Sequence, residues 1–411
     1  MKPHSSTVVP TVLAATAVML LTTATSTLAQ TEPALGTALT SGSTNLSFRL
    51  RSEHVDDAGF IGDAAANTLR TRLSWRSGNW ENMNLLLEMD SVTYLGDDRF
   101  NNTRNSNTRY PVVADPDGVD LNQAALQYRL DGGSVTVGRQ RLLRGNQRFV
   151  GSVGWRQNEQ TFDAIALNLT PTSTLELDYA WVNDTRRIFG PENGNPPAAL
   201  DSDHHLLNAR WRVSAELNLD FYSYSLAFSE APALSSATHG LAVTGERELG
   251  TDTQVDYRIE YARQSDYRNN PNDYSADYVM VSAGIKISGV RAALSHEILG
   301  ADSSAGMAVQ TPLATLHAFQ GWADKFLNTP AFGVRDTAVS LAGNIAGSNL
   351  TLAWHDYQAD AGSLSLGQEV NIQVAKTFAS RYTLAAKFAS YQADRYSTDA
   401  QKFWLSAEAR F

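Results

Sequence analysis

The sequence predicts an all-β fold: a transmembrane antiparallel β-barrel of 18 strands, or 16 as the nearest alternative, with short periplasmic turns and long extracellular loops. Three observations predict it. Apolar residues recur with period two along most of the chain. Short and long connections alternate. An export signal stands at the start, and no apolar run after it is long enough for a spanning helix.

The period-two pattern is clear at several places. Leu69, Thr71, Leu73 and Trp75 alternate with Arg70, Arg72, Ser74 and Arg76. Leu175, Leu177, Tyr179 and Trp181 alternate with Glu176, Asp178 and Ala180. Val255, Tyr257, Ile259 and Tyr261 alternate with Asp256, Arg258 and Glu260. On a helix these residues would spread around the whole circumference; on a strand they make one apolar face. Eighteen such segments can be drawn, the first at 44–55 and the last at 401–411. Most have about the ten residues that a tilted strand needs to cross a bilayer.

The connections point the same way. Ser77-Gly78-Asn79, Asp131-Gly132, Ser214-Ala215, Ser288-Gly289, Ala346-Gly347 and Ala379-Ser380 read as tight turns. Between them lie long connections, the longest near 95–120, 141–159, 184–203 and 301–333. A soluble sandwich has no reason to lengthen every second connection, whereas an outer-membrane barrel does. An even strand count places both termini in the periplasm. The last strand presents Phe403, Leu405, Ala407, Ala409 and Phe411 on one face, which resembles the C-terminal signal read by barrel-assembly machinery.

Met1 to Ala29 reads as a secretory signal, with Lys2 and His4 ahead of the apolar run Val12 to Leu21 and small residues at Thr27 and Ala29. Residues 30–43 read as a flexible lead-in and 44–411 as a single barrel domain. The chain has no cysteine, which rules out disulfides and thiolate metal sites. A net charge of −10 argues against nucleic acid. The mean hydropathy of −0.28 fits a barrel, because alternation keeps the mean low. No cofactor and no metal are expected.

If apolar residues face lipid, the alternate set faces the lumen. That set holds Arg49, Arg51, Arg70, Arg72, Arg76, Arg129, Arg210, Arg212, Arg258, Arg291, Lys387, Lys402 and Arg410. It also holds Glu88, Asp90, Glu176, Asp178, Asp220, Asp256, Glu260, Glu297 and Glu408. Two readings stay open. The arginines could form a positive field that selects anions, or they could pair with the acids and brace the wall.

Few motifs suggest other chemistry. Asp115-Pro116-Asp117-Gly118-Val119-Asp120 has oxygens spaced as in a calcium loop but lacks the terminal bidentate Glu, so it reads as a solvated extracellular loop. His204 and His205 are adjacent and would point to opposite faces. The nearest approach to a hydrolytic set is His296 with Ser282 or Ser295, and His296 falls on the lipid-facing set, so an enzyme is not expected.

Two stretches carry a resemblance. The first runs from Val137-Gly138-Arg139-Gln140 through Arg144-Gly145, Arg148-Phe149-Val150-Gly151 and Trp155-Arg156-Gln157 to Gln160-Thr161-Phe162-Asp163. The second is Thr315-Leu316-His317-Ala318-Phe319-Gln320-Gly321-Trp322-Ala323-Asp324-Lys325-Phe326-Leu327, followed by Pro330 and Gly333-Val334-Arg335-Asp336. They resemble the signature stretches of the alginate-export family of outer-membrane porins. The resemblance implies an arginine-lined pore gated by loops. It makes Arg139, Arg141, Arg144, Arg148 and Arg156 pore arginines, and has Asp324, Lys325, Arg335 and Asp336 hold the second stretch at the pore. Replacing Arg139 and Arg156 with Glu is then expected to reverse or abolish anion preference. The chain is short for a polymer exporter and shows no long periplasmic turn. The expected function is passive passage of an anionic carbohydrate or carboxylate across a Gram-negative outer membrane. Uptake of small carboxylates or oligosaccharides, or a closed structural barrel, are the alternatives. The expected partners are outer-membrane lipid and lipopolysaccharide, the assembly machinery through Phe411, and the solute; nucleic acid is not among them.

Overall fold

The computed structural model describes residues 35–192 and 194–411, so the stretch 1–29, read from sequence as an export signal, lies outside the described residues. Eighteen strands form one closed antiparallel sheet. They are β1 (Ser43–Asp57), β2 (Ala64–Arg76), β3 (Met83–Tyr94), β4 (Gly118–Leu130), β5 (Gly133–Gln140), β6 (Thr161–Thr172), β7 (Leu175–Arg186), β8 (Ala199–Ser214) and β9 (Leu217–Leu226). Then follow β10 (Ser236–Glu248), β11 (Thr253–Asp266), β12 (Ser275–Ile287), β13 (Val290–Leu299), β16 (Val334–Ile345), β17 (Ser348–Gln358), β18 (Ser365–Phe378), β19 (Tyr382–Ala393) and β20 (Ala400–Arg410). Each strand pairs with its sequence neighbours, and β1 also pairs with β20, from Ser47 opposite Arg410 to Asp57 opposite Ala400. Closure removes both sheet edges, which is what lets a sheet stand in lipid.

All eighteen strands expected from alternation are present. They run further at the long-loop end than the apolar pattern does: β7 reaches Arg186 and β8 starts at Ala199. Polar side chains continue the ladder there. One small element escaped sequence reading, a hairpin of β14 (Ala301–Asp302) and β15 (Met307–Ala308) in the long connection before β16. The lead-in read as flexible over 30–43 needs correction where it is described. Leu35–Thr40 form a short helix, α1, in which Ala38 is buried and its carbonyl accepts the Gly78 amide at 2.8 Å. The helix closes over the β2–β3 turn.

Three of the tight turns put two successive residues at positive φ, as the twist of a two-residue hairpin demands. They are Ser288 (48°) with Gly289 (86°), Ala346 (51°) with Gly347 (73°), and Ala379 (48°) with Ser380 (57°). In the last pair neither residue is glycine, so both carry the Cβ penalty of the left-handed region. The double change Ala379→Asn, Ser380→Gly should stabilise the barrel by about 1 kcal/mol. It would show as a higher temperature for the loss of the compact form on unheated gels; an unchanged temperature would mean the turn is unstrained.

The burial pattern is inverted relative to a soluble protein. Large apolar side chains on the outside remain exposed, for example Leu73 at 48%, Trp211 at 49%, Leu294 at 57% and Leu384 at 53%. This is the apolar belt that faces lipid. The buried cluster lies inside the barrel. It joins Phe149, Val150, Leu313, Ala323 and Phe326 from two long connections to Phe162, Leu206, Tyr278, Tyr357 and Trp404 on the strands.

Candidate functional site

The two long connections after β5 and β13 turn inward and cross the lumen. Glycine permits the first entry. Gly138 has φ +116°, and a Cβ there would run into the Ala124 carbonyl. At Gly151 a Cβ would crowd Gln147 and Thr315, so the first loop, 141–160, packs directly on the second, 309–333. Backbone bonds join the loops: the Gly151 amide donates to the Leu313 carbonyl at 2.8 Å, and Thr315 to Gln147 at 3.1 Å.

Arginines on the wall hold the first loop. Arg49 donates to Gln157 Oε1 at 2.9 Å, to the Gly154 carbonyl at 3.0 Å and to the Arg156 carbonyl. Arg51 pairs with Asp115 at 3.3 Å and lies over the Trp155 ring at 4.3 Å. Arg72 reaches Asp90 at 2.6 Å and Glu159 at 2.8 Å. Arg70, buried beside it, stands 3.7 Å from Glu159. Arg141 pairs with both Glu88 and Glu159. Arg156 lies among Glu53 (3.1 Å), Asp115 (3.7 Å) and Asp324 (3.5 Å). Arg148 meets Glu297 at 2.7 Å and Gln320 at 3.0 Å, which ties the loops to each other and to β13. Arg49 donates to neutral oxygens and the other arginines stand beside carboxylates, so the set braces the loops.

The second loop is held by its own signature residues. Asp324 accepts from His317 at 2.8 Å and from Lys402 at 2.9 Å. Lys325 reaches Asp57 at 2.7 Å and Thr398 at 3.3 Å. Asp336, expected to hold the same loop, instead faces inward on β16 and meets His355 of the neighbouring strand β17 at 3.0 Å. Glu369 on β18 accepts the amides of Trp322 and Ala323.

The central fastening is Lys387, whose role sequence reading missed because a lumen lysine looks like any other. Its Nζ donates to His317 Nε2 at 2.7 Å and lies 4.2 Å from the Trp155 ring, 3.7 Å from Trp322 and 5.6 Å from Trp404. One lysine thus touches both loops and β20. The aromatic residues of the two signature stretches were the available signal, since tryptophan faces are preferred partners for a cation.

Charge states of the loop groups follow from this geometry. Burial raises the Glu159 carboxyl, but Arg72 and Arg141 more than offset it and hold it at about 2. Burial pushes His317 down to about 3, against the pull of Asp324. His317 is therefore neutral near pH 7, donating through Nδ1 to Asp324 and accepting from Lys387 at Nε2. Arg156 is raised, because Glu53, Asp115 and Asp324 outweigh its burial. A histidine whose folded value lies below its free value of 6.5 stabilises the seat above 6.5, and that contribution is lost as pH falls toward 3. The loss is about 1.4 kcal/mol per pH unit. Channel recordings should become noisier, with larger steps, on going from about pH 7.5 to about pH 5; identical traces at both would remove His317 from this role.

Two residues expected at the pore face the other way. Arg139 shares its strand face with Val137, which is outward and 47% exposed, and it pairs with Asp163 at 2.8 Å, on the face of exposed Ile165. Arg335 shares the outer face of β16 with exposed Val339 and Leu341 and pairs with Asp360 at 2.9 Å. Strand alternation decides both. Asp115 also differs from expectation: it is fully buried and caps the Gln157 amide at 2.6 Å instead of lying in a solvated loop. His204 points inward and His205 outward, as adjacent strand residues must. His296 bonds Thr337 at 2.8 Å on the face opposite the cross-strand pair Ser282 and Ser295, so the three cannot act as one set.

The loops fill the side of the lumen against β1–β3 and β18–β20. On the other side a cavity of about 380 Å³ remains between the first loop and β8–β11. Arg144, Arg210, Arg212 and Arg258 line it, with Asp220 and Glu260 as the opposing acids and Asn146, Asn208 and Asn218 as neutral hydrogen-bonding groups. Arg210 pairs with Asp220 at 2.6 Å and Arg258 with Glu260 at 2.5 Å. Arg144 stands 3.7 Å from Asp178. Arg212, and Arg129 on β4 near the same end, are exposed and have no carboxylate partner among the described residues.

The same architecture occurs in solved structures. OccAB2 of Acinetobacter baumannii superposes with a TM-score of 0.72 at 13% identity, covering 92% of this chain and 100% of that one. OpdO of Pseudomonas aeruginosa gives 0.72 at 12% identity, covering 92% and 98%. The outer membrane protein OpdK of the same organism gives 0.70 at 14% identity, covering 91% and 99%. A search of curated proteins finds no significant sequence match. The family described as Alginate export matches residues 41–293, more than half of the chain and including the first signature stretch. The fold, the inward loops and this match together place the chain in the alginate-export family of outer-membrane barrel channels.

Proposed function

We propose that this channel passes small anionic solutes, sugar acids such as uronates and short oligouronates among them, through the gap between the first inward loop and β8–β11. The cavity lining carries this reading. Four arginines line it against Asp220 and Glu260, with Asp178 3.7 Å from Arg144, which leaves Arg212 without a carboxylate and the open part of the lumen positive, while most arginines of the plugged part are paired with carboxylates. Arginine's planar fork suits carboxylates, and the asparagines suit hydroxyls. Two loops occupying the lumen favour a solute of sugar size over a threaded polymer. We further read the long-loop end as the outer face, with both termini in the periplasm and Phe411 available to the assembly machinery.

The test is single-channel conductance in a planar bilayer under a salt gradient, followed by titration with an oligouronate. An anion-selective current blocked by the oligouronate supports the proposal. An anion-selective current indifferent to it limits the solute to smaller carboxylates, and absence of current would favour a closed structural barrel. In the same assay, Arg144→Glu with Arg212→Glu should reverse the sign of the reversal potential. Arg139→Glu, on the outer wall, should leave it unchanged.

A further inference from the structure

The outer wall carries a charged band that neither the channel nor the barrel's own packing uses. At the long-loop end, outward-facing positions hold Arg186 with Asp184 at 3.1 Å on β7, and Arg263 with Asp277 at 2.8 Å across β11 and β12. Arg268, in the β11–β12 connection, reaches Asp203 on β8 at 2.5 Å. These arginine side chains are 35%, 52% and 45% exposed. The band begins where the aromatic girdle ends, and it is bonded to it: Trp181 Nε1 donates to Asp203 at 2.9 Å and the Tyr261 hydroxyl to Asp277 at 2.7 Å. Aromatic girdles mark the depth at which hydrocarbon gives way to headgroups. The charges therefore sit at headgroup level on the outside.

Outward pairs also occur at Arg139 with Asp163 on β5 and β6 and at Arg335 with Asp360 beside β16. On β1–β3 and β18–β20 the outward positions of the same tier are uncharged or acidic, such as Ser52, Asn67, Thr93, Gln368, Gln392 and Asp56. Exposed ion pairs contribute little to stability, so four such strands have no evident need of them. What the pairs do achieve is orientation. Each arginine is tethered to the wall by an aspartate, Arg186 standing also 3.9 Å from Asp163, while a third to a half of the side chain stays exposed. An arginine held in this way can donate charge-assisted hydrogen bonds to the oxygens of a phosphate. The neighbouring uncharged tier offers no such groups.

We propose that this arc, β7–β8 and β11–β12, docks the phosphorylated headgroup of an outer-leaflet glycolipid, with Arg186, Arg263 and Arg268 on its phosphates. This rests on the reading that the long-loop end faces outward. The glycolipid binds along one flank of the barrel, so the channel has a preferred lipid-covered side.

The test uses the full-length protein reconstituted in nanodiscs, with lipopolysaccharide as the probe and binding read by native mass spectrometry. The triple variant Arg186→Gln, Arg263→Gln, Arg268→Gln should bind about tenfold more weakly, with single-channel conductance and reversal potential unchanged. Wild type should bind enzymatically dephosphorylated lipopolysaccharide as weakly as the variant binds the intact form. Equal binding by variant and wild type would overturn the proposal, and so would equal binding of the two lipopolysaccharide forms by wild type. The pore reading fails by a separate measurement, since conductance and selectivity do not depend on these outward residues.

Discussion

Asp324→Asn is expected to release the second inward loop and raise single-channel conductance. The carboxylate is buried among His317 at 2.8 Å, Lys402 at 2.9 Å and Arg156 at 3.5 Å. Removing its charge leaves Lys402 and Arg156 buried with less compensation. Breaking a buried pair from one side costs about 3–5 kcal/mol, far more than an exposed pair. The barrel itself keeps its ladders, so the cost falls on the loop, whose seat depends on these contacts. Lys402→Met in the same chain should recover part of the wild-type conductance, because it removes one of the two stranded cations. A conductance equal to wild type in Asp324→Asn would mean that the aromatic and backbone contacts of the loop suffice to hold it.

Glu159→Gln should act on the first loop with comparable size. Glu159 is the acid shared by Arg72 at 2.8 Å, by Arg141 and by Arg70 at 3.7 Å. Three guanidinium groups would then depend on Glu88 and Asp90 alone. A loss of about 3–5 kcal/mol at the seat follows from the same reasoning. Two readouts move together here: conductance rises as the loop loosens, and anion preference strengthens as arginines lose their neutralising partner. A change in conductance without a change in the reversal potential would show that the freed arginines do not face the conducting path.

The fold was legible because it is written in local order. Alternation along each segment and the rhythm of turns such as Ser288-Gly289 need no long-range information, and they locate the strands to within a few residues. Where a strand ran past its apolar pattern, as β8 does from Ala199, the polar ladder at the long-loop end gave no contrast to read. The site was legible only in outline. The glycines and tryptophans of 137–163 and 315–336 marked the two special loops. Which arginine meets which acid depends on residues a hundred positions apart, as with Arg49 and Gln157, and no local pattern carries that. Arg139 shows a second cause. Its strand parity with Val137 already placed it outward, while the family resemblance suggested the pore, and the parity was the better guide. Lys387 reads as a lumen residue, and strand register alone sets it beside Trp404, but its contacts with Trp155 and Trp322 exist only once both loops have folded in.

The anchors of the loops are not spread evenly around the wall. Arg49, Arg51 and Glu53 stand on β1; Lys387 is on β19; Lys402 and Trp404 are on β20. These strands flank the β1–β20 pairing that closes the sheet. That pairing joins the two ends of the chain, and so has the greatest loop-closure entropy to overcome of any contact in the barrel. The folded loops therefore work as an internal staple across the last joint to be made. A chain whose loops cannot seat would be slow to zip shut as well as leaky once closed, so changes at Asp324 or Glu159 should lower the yield of assembled barrel along with altering the current it carries.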